Sequence, residues 1–377
     1  MSAARGPRAA ALCALAVVAL GGCGGTSAKP AATQAVPSDF LGLVSDQVFS
    51  ATPLWKARIL ATQRHAGVEL LRQEFAWAQI EPRPGVYDFA PYDAYMAATA
   101  GAGMQVLAVL DDPPAWAATK PPRGERLSEV TVFPPRKMAQ FAAFAALLAR
   151  RYGPGGSFWR AHPKLREVPI RSWEIWNEPN FEIYWGGHPS AAAYAAMLRA
   201  VYPAIHAVDP HANIVTAGVA NTTIGGIGAE PYIRELLATR PRPAFDTLAI
   251  HAYAINPAGV IESVEQVRGI LNAAGLNSTP IWLTEFGWAS GGPPSPFTVG
   301  SARQARYVLD TIVDLARKEA TLHVAGIVYY DWQDAVPYAG GGTNLWGFHT
   351  GLVAIDGIAK PALSSYYQAA GVLHAPP

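Results

Sequence analysis

The chain has 377 residues, 50% hydrophobic and 15% charged, and its 29 basic against 28 acidic side chains leave a formal net charge of +1. That balance excludes nucleic-acid binding by phosphate neutralisation, which needs a basic excess or stripe. With 35 Gly, 32 Pro, 11 Trp, 15 Tyr and 13 Phe, the chain is too rich in core-forming side chains for disorder and too irregular for a fibrous repeat.

At the N-terminus, Arg5 and Arg8 precede an apolar run from Ala9 to Leu20 that is too short to span a bilayer, the layout of an export signal over residues 1–22. It ends in Leu20-Gly21-Gly22-Cys23, which resembles the bacterial lipoprotein box whose cysteine is lipidated. An ordinary signal with a chance cysteine is the alternative. The expectation is an exported protein on the outer face of the cell membrane, touching the bilayer only through a lipid on Cys23. Cys13 lies inside the signal, so the mature chain keeps no thiol for a disulfide. Residues 23–38, built mainly of Gly, Ser, Thr, Ala, Pro and Gln, have the composition of a flexible tether.

Beyond the tether, short apolar runs alternate with helical patterns. The predicted strands are Phe40 to Val44, Val68 to Phe75, Gln105 to Leu110, Ser172 to Trp176, Asn213 to Val219, Thr247 to Tyr253, Pro280 to Phe286 and Ala325 to Asp331. The predicted helices are Pro53 to Ala66, Pro91 to Ala102, Pro135 to Arg151, Ala191 to Val208, Pro231 to Thr239, Ile261 to Ala274, Ala302 to Glu319 and Pro361 to Ala370. Several start with Pro, which suits a first helical turn, and Gly67, Gly103 and Gly275 stand where C-terminal caps belong. A strand-helix alternation repeated through residues 39–377 predicts the α/β class and a single (β/α)8 TIM barrel, a monomer, with an open doubly wound sheet as the alternative.

In such a barrel the chemistry sits at the C-terminal ends of the strands. The fourth predicted strand leads into Trp173-Glu174-Ile175-Trp176-Asn177-Glu178-Pro179-Asn180, and the seventh into Ile281-Trp282-Leu283-Thr284-Glu285-Phe286-Gly287-Trp288. Two carboxylates, Glu178 and Glu285, are thereby presented at the mouth in apolar and aromatic settings, which raise a carboxyl pKa toward the range of a general acid.

These strings resemble retaining glycoside hydrolases of clan A, most of all family 39, with a family 5-type relative as the other candidate. The resemblance extends over the barrel through Arg72, Asn177, Glu178, His251, Tyr253, Glu285 and Trp332, in order on the expected strands. It implies that Glu178 is the acid and base, and that Glu285 is the nucleophile, with the two carboxyls about 5 to 5.5 Å apart. Arg72 and Tyr253 would hold Glu285 by hydrogen bonds, and Asn177 would bind the hydroxyl beside the anomeric carbon. His251 would orient polar neighbours, and Trp332, turned into the site by a cis Trp332–Gln333 peptide, would form the platform under the sugar. The partner implied is a carbohydrate, cleaved by hydrolysis. Transglycosylation through the same covalent intermediate and a non-catalytic carbohydrate-binding lipoprotein are the other readings, and the presence of both carboxylates speaks against the latter.

Each residue also has a plainer reading. Arg72 has Glu69, Glu74 and Glu174 as possible buried partners, and Glu174, alternating with Trp176 and Glu178, points inward as a structural group. His251 is read equally well as a satisfied core histidine, and Tyr253 and Trp332 as packing residues. Trp116, after Asp111-Asp112-Pro113-Pro114-Ala115, is read as a sugar platform against packing at the rim. Trp346, Trp185 and Trp288 would add aromatic surface around an open groove. Asp331 and Asp334 match no ligand set, Gly225-Gly226-Ile227-Gly228 lacks the context of a dinucleotide loop, and neither a metal nor a cofactor is expected.

Overall fold

Among the described residues, nine short parallel strands, all paired with parallel neighbours, form one curled sheet wrapped by helices. The computed structural model describes residues 36–37, 39–120, 131–221, 225–335 and 345–374. Apart from Val36 and Pro37, the export signal, Cys23 and the tether lie outside the described residues. Val36 packs against the core.

The strands are β1 (Leu41–Val44), β2 (Leu70–Ala76), β3 (Gln105–Asp111), β4 (Ser172–Ile175), β5 (Asn213–Thr216), β6 (Val219–Ala220), β7 (Leu248–His251), β8 (Ile281–Phe286) and β9 (Val324–Tyr329). Their order is β5-β4-β3-β2-β1-β9-β8-β7-β6. Each expected helix is present, for example Pro53–His65 after β1, Met138–Tyr152 after β3 and Pro361–Leu373 after β9. Shorter turns such as Asp46–Ser50 and Trp77–Ile80, which have too few residues to show a periodic pattern, come in addition. Among the described residues, no helix is long and apolar enough to cross a membrane.

The expected fifth strand, Asn213 to Val219, is divided. Its first part, β5, pairs with β4, and its second, β6, pairs with β7. The amide of Gly218, in the interruption, donates to Glu174 Oε1 at 3.0 Å, so a local backbone bond is diverted to a buried carboxylate. A Cβ at Gly218 would collide with the His251 ring and approach Thr284 Oγ1 to 2.6 Å. Between the two ends of the strand order, Thr216 N donates to Thr247 O at 2.9 Å and Asp246 N to Ile214 O at 2.9 Å. That link is a single parallel bridge, Val215 with Thr247. The strand pairing therefore draws a curled parallel sheet and does not complete an eightfold ladder.

Inward positions on the strands build the floor of the interior. Val44, Leu70, Leu107, Val215, Ala249, Trp282 and Val328 form a buried apolar cluster, separate from the larger one between sheet and helices. One pleat higher, Arg72 on β2 reaches Glu174 on β4 and Glu285 on β8, each at 2.7 Å. Side chains on strands this far apart in the sheet meet only because the sheet curls around them.

Gly218→Ala should destabilise the fold by about 1–3 kcal/mol, the usual cost of overpacking a tight interior. Gly269→Ala, within the helix Pro257–Ala273 and with nothing near an added Cβ, should stabilise by up to about 1 kcal/mol. Urea unfolding of both variants checks the contrast, and equal midpoints would contradict it.

Candidate active site

Glu178 follows β4 in a stretch of unusual backbone. Trp176 has φ +78° and Glu178 φ +41°, both in the left-handed region that disfavours side chains other than glycine. Such conformations persist only where the surroundings over-determine them. Here Trp176 Nε1 donates to Tyr184 O at 2.8 Å and its indole packs edge-on against Trp185. Asn180 donates to Ala220 O at 2.9 Å and accepts from Ala220 N at 3.1 Å. The chain after β4 is thereby pinned so that Glu178 turns back over the interior.

Glu285 is the penultimate residue of β8. The β7–β8 register shifts after Ile250, so that His251 lies opposite Glu285 where Thr284 would follow in an unbroken ladder. Such irregularities re-aim side chains next to sites. Arg72 Nη1 donates to Glu285 Oε1 at 2.7 Å and the Tyr253 hydroxyl to Oε2 at 2.6 Å, so both oxygens of Glu285 are engaged. Arg72 also donates to both oxygens of Glu174, from Nε at 2.7 Å and from Nη2 at 3.1 Å, and from Nη2 to Asn177 Oδ1 at 2.8 Å. Glu174 is fully buried and accepts further from Gly218 N and from Thr284 Oγ1 at 3.1 Å. Of the three possible partners of Arg72, the structure selects Glu174. Glu69 instead lies 3.4 Å from His374, and Glu74 contacts Asp111.

The fully buried His251 places Nδ1 at 2.7 Å from Glu178 Oε1 and at 3.5 Å from Glu285 Oε2. Burial pushes its pKa down to about 4, with Glu285 opposing, so the ring is neutral near pH 7 and the Glu178 contact is a hydrogen bond whose donor depends on the tautomer. Burial likewise raises Glu178 to about 8; Arg72 acts against this and Glu174 adds to it. Burial, and then the charge of Glu285, also pushes the Tyr253 hydroxyl well up, which keeps it a donor. Ligand atoms of Glu178, His251 and Glu285 lie within 4.8 Å of one another, close enough to hold a metal ion. The guanidinium and hydroxyl already on Glu285 compete with such an ion for its oxygens.

Arg72, Asn177, Glu178, His251, Tyr253 and Glu285 are thus brought together, and Trp332 and Trp116 are not. Trp332 is 4% exposed and belongs to the core. The non-proline cis bond is Tyr330–Asp331, and Trp332–Gln333 is trans. The physical reason is where the strand stops. β9 ends at Tyr329, two residues before the expected Asp331, so Tyr330 stands at the mouth, its ring centroid 6.5 Å from that of Tyr253. Trp116 is held at the rim, its Nε1 donating to Glu81 O at 3.1 Å and its ring edge-on to Trp77. Trp185 and Trp288 are core residues, the latter packed between Phe286 and Tyr307. Trp346, half-buried, lies edge-on to Tyr253 at 5.2 Å and near Phe297 at 4.6 Å. Asp331 accepts from Thr350, and Asp334 pairs with Lys360, so both stitch the loop after β9.

Residues 165–331 match a family model described as glycosyl hydrolase catalytic core, and residues 52–130 match one described as beta-galactosidase. A beta-xylosidase of Geobacillus stearothermophilus is 22% identical over 219 residues, 52% of this chain and 41% of that protein. The chain thus spans less than half the length of this curated relative. Among solved structures, a GH39 enzyme from Xanthomonas axonopodis pv. citri superposes with a TM-score of 0.63 at 20% identity, covering 89% of this chain and 67% of that one. A monomeric beta-xylosidase from Caulobacter crescentus CB15 gives 0.62 at 19% identity, covering 87% and 67%. A GH5_18 protein from Bifidobacterium longum subsp. infantis gives 0.61 at 13% identity, covering 88% and 78%. At these identities the likeness is one of fold. Both family models that match are of glycosyl hydrolase type, which supports a glycosidase.

Glu178→Gln should stabilise the protein in a pH-dependent way. The folded state binds the Glu178 proton up to about pH 8, whereas the unfolded chain releases it near 4.5, so the wild type loses stability as pH rises between these values. The Tm gain of the variant should be near zero at pH 4, grow through neutrality and level off above pH 8; a gain independent of pH would show that Glu178 has an ordinary pKa.

Proposed function

We propose that the protein is a retaining glycoside hydrolase that cleaves O-glycosidic bonds of an oligo- or polysaccharide by double displacement. The observation that carries this reading is the separation of the two carboxyls. Glu178 and Glu285 have oxygens within 4.8 Å of each other, on the scale of the roughly 5 to 5.5 Å of retaining enzymes and short of the roughly 6.5 to 9.5 Å that leave room for an inverting water. Their environments also differ in the required sense. Glu178, raised by burial, holds a proton for the glycosidic oxygen, while Glu285 faces donors on both oxygens as an attacking carboxylate does.

In the first step Glu178 gives its proton to the leaving oxygen as Glu285 bonds to the anomeric carbon and the glycosidic C–O bond breaks. Arg72 and Tyr253 keep Glu285 aimed and give up part of their share of its charge as the new bond forms. In the second step the Glu178 carboxylate takes a proton from water, whose oxygen displaces Glu285 and regenerates it. Because Arg72 occupies Asn177 Oδ1, the amide NH2 is the group that faces the sugar hydroxyl next to the reacting carbon. Neutral His251 hydrogen-bonds Glu178 through Nδ1, with Glu285 Oε2 3.5 Å from the same nitrogen, and so orients Glu178 while the proton leaves and returns. Tyr330 takes the place of Trp332 under the ring. With Trp185 and Trp288 in the core, the aromatic lining lies mainly on the Tyr253, Phe297 and Trp346 side, and the case for a groove open at both ends loses most of its support.

In this reading the β5–β6 segment completes an eight-membered (β/α)8 barrel over residues 39–377, and the protein is exported and tethered through a lipid on Cys23. Cys23→Ser should then release the protein from the membrane fraction, and unchanged fractionation would reject the anchor.

With activated aryl glycosides, Glu285→Ala should abolish turnover, whereas Glu178→Ala should keep a measurable rate, because a good leaving group needs no acid. The first product should keep the anomeric configuration of the substrate, observed by proton NMR, and kcat should fall as pH rises through about 8, where Glu178 loses its proton. Inverted product, or equal and complete loss in both variants, would overturn the assignment.

A further inference from the structure

Next to the catalytic pair, the ends of β1, β2 and β3 present a row of carboxyls that the reaction does not use. Glu74 is two residues beyond Arg72 on β2 and therefore points to the same, inward side, about 7 Å further up the strand. Asp111 ends β3, Asp112 follows it with φ +46°, and Asp46 begins the short helix after β1. The Glu74 and Asp111 carboxyls are hydrogen-bonded to each other, which requires a shared proton. Asp46 and Asp112 add negative charge beside Glu74.

Among the described residues, no cation pairs directly with this row, although the charge of Arg72 reaches Glu74, Asp111 and Asp46. Arg72 is divided between Glu174 and Glu285, and Lys56 turns away to the carbonyls of Val48 and Phe49. Asp111 is only 8% exposed, and its Oδ1 has no hydrogen-bond partner. An unpartnered buried carboxyl oxygen is costly, and the side chain that contacts Asp111, Glu74, is itself a carboxyl with no N–H to offer. A bare metal ion does not suit the row either. The one group of three or more such side chains whose ligand atoms converge within 4.8 Å, among the described residues, is Glu178, His251 and Glu285. The row is better matched to a donor with some breadth, carried on a larger molecule.

We infer that Glu74 and Asp111, with Asp46 and Asp112 beside them, form a subsite for the ammonium group of an amino sugar, so that the preferred substrate is a glycan containing de-N-acetylated hexosamine. Glu74 stands two residues beyond Arg72, the residue that holds Glu285, so this group opens into the same mouth as the catalytic pair. An ammonium donates three hydrogen bonds, which satisfies Asp111 Oδ1 and replaces the proton shared with Glu74. A neutral hydroxyl satisfies one acceptor and leaves the mutual repulsion in place, and an acetamido group fills the space without charge. The inference builds on the glycosidase reading only in assigning the neighbouring sugar position.

The test is calorimetric binding near pH 6, where hexosamines are protonated, with full-length Glu178→Gln protein to suppress turnover. The ligands are glucosamine and galactosamine tetramers, their fully N-acetylated forms and the neutral glucose and galactose tetramers. One of the amino-sugar tetramers should bind at least about tenfold more tightly than its acetylated and neutral counterparts, a difference of about 1.4 kcal/mol. Adding Asp111→Asn should remove most of that preference while leaving the neutral tetramer unaffected. Glu74→Gln, at a solvent-exposed position where misfolding is not a concern, should lower it at least about threefold, about 0.6 kcal/mol. Equal binding of the three forms, binding of none, or a preference untouched by both variants would overturn the subsite. A preference that persists in a wild-type protein without hydrolytic activity would sink the glycosidase reading and leave the subsite standing; hydrolysis without the preference would do the reverse.

Discussion

The site depends on one buried cation. Arg72 is 7% exposed and holds Glu174, Glu285 and Asn177 through four charge-assisted or polar bonds. Taking a guanidinium out of water costs several kcal/mol, and so does burying each carboxylate, so the cluster is no argument for stability in itself. Its value is positional. The guanidinium plane is rigid and its donors diverge at fixed angles, so one side chain sets the direction of groups that come from β2, β4 and β8. Removing one of the charged members leaves an uncompensated buried charge, typically a loss of about 3 to 5 kcal/mol.

Around that cation the two outer carboxylates are made unequal. Glu285 lies against the guanidinium and a tyrosine hydroxyl, whereas Glu178 finds only a neutral imidazole at 2.7 Å. Burial then acts on the two residues differently, because one has its charge answered and the other does not. The same strand carries both sides of this arrangement. Glu174, two residues from Trp176 and four from Glu178, faces inward to balance Arg72, and the left-handed turn at Trp176 and Glu178 lifts the next carboxylate out of that network.

Much of this was legible in the sequence for a definite reason. Carboxylates embedded in Trp-Glu-Ile-Trp-Asn-Glu-Pro and Trp-Leu-Thr-Glu-Phe-Gly-Trp contrast sharply with their neighbours, and strand ends bring such contrasts to one face. What stayed hidden depends on contacts across the interior. Nothing local distinguishes Glu174 from Glu69 or Glu74 as the partner of Arg72. The run Tyr329-Tyr330-Asp331-Trp332 offers three aromatics in four positions, and periodicity cannot tell where the strand stops, so the residue at the mouth was displaced from Tyr330 to Trp332. The break between β5 and β6 is hidden in the same way, because Gly218 leaves the ladder to serve a carboxylate on β4.

The interior reads as layers of rising polarity. At the bottom, Leu70, Leu107, Val215 and Val328 exclude water. Above them, Arg72, Glu174 and Thr284 form a charged layer in which every carboxylate oxygen of Glu174 is engaged. At the top, Glu178, Glu285 and Tyr253 keep groups turned toward the mouth, and Asp111 Oδ1 is an acceptor that no protein donor satisfies. Protein polarity is thus consumed from the bottom upward, and what is left over at the top is negative. A parallel strand admits this gradient because inward side chains recur every second residue, so two further residues of chain move from a sealed floor to an ion pair and then to an open acceptor. On β2 the series Leu70, Arg72, Glu74 spans all three levels within five residues, which explains why the same strand anchors the core, holds Glu285 and carries an open carboxyl above it.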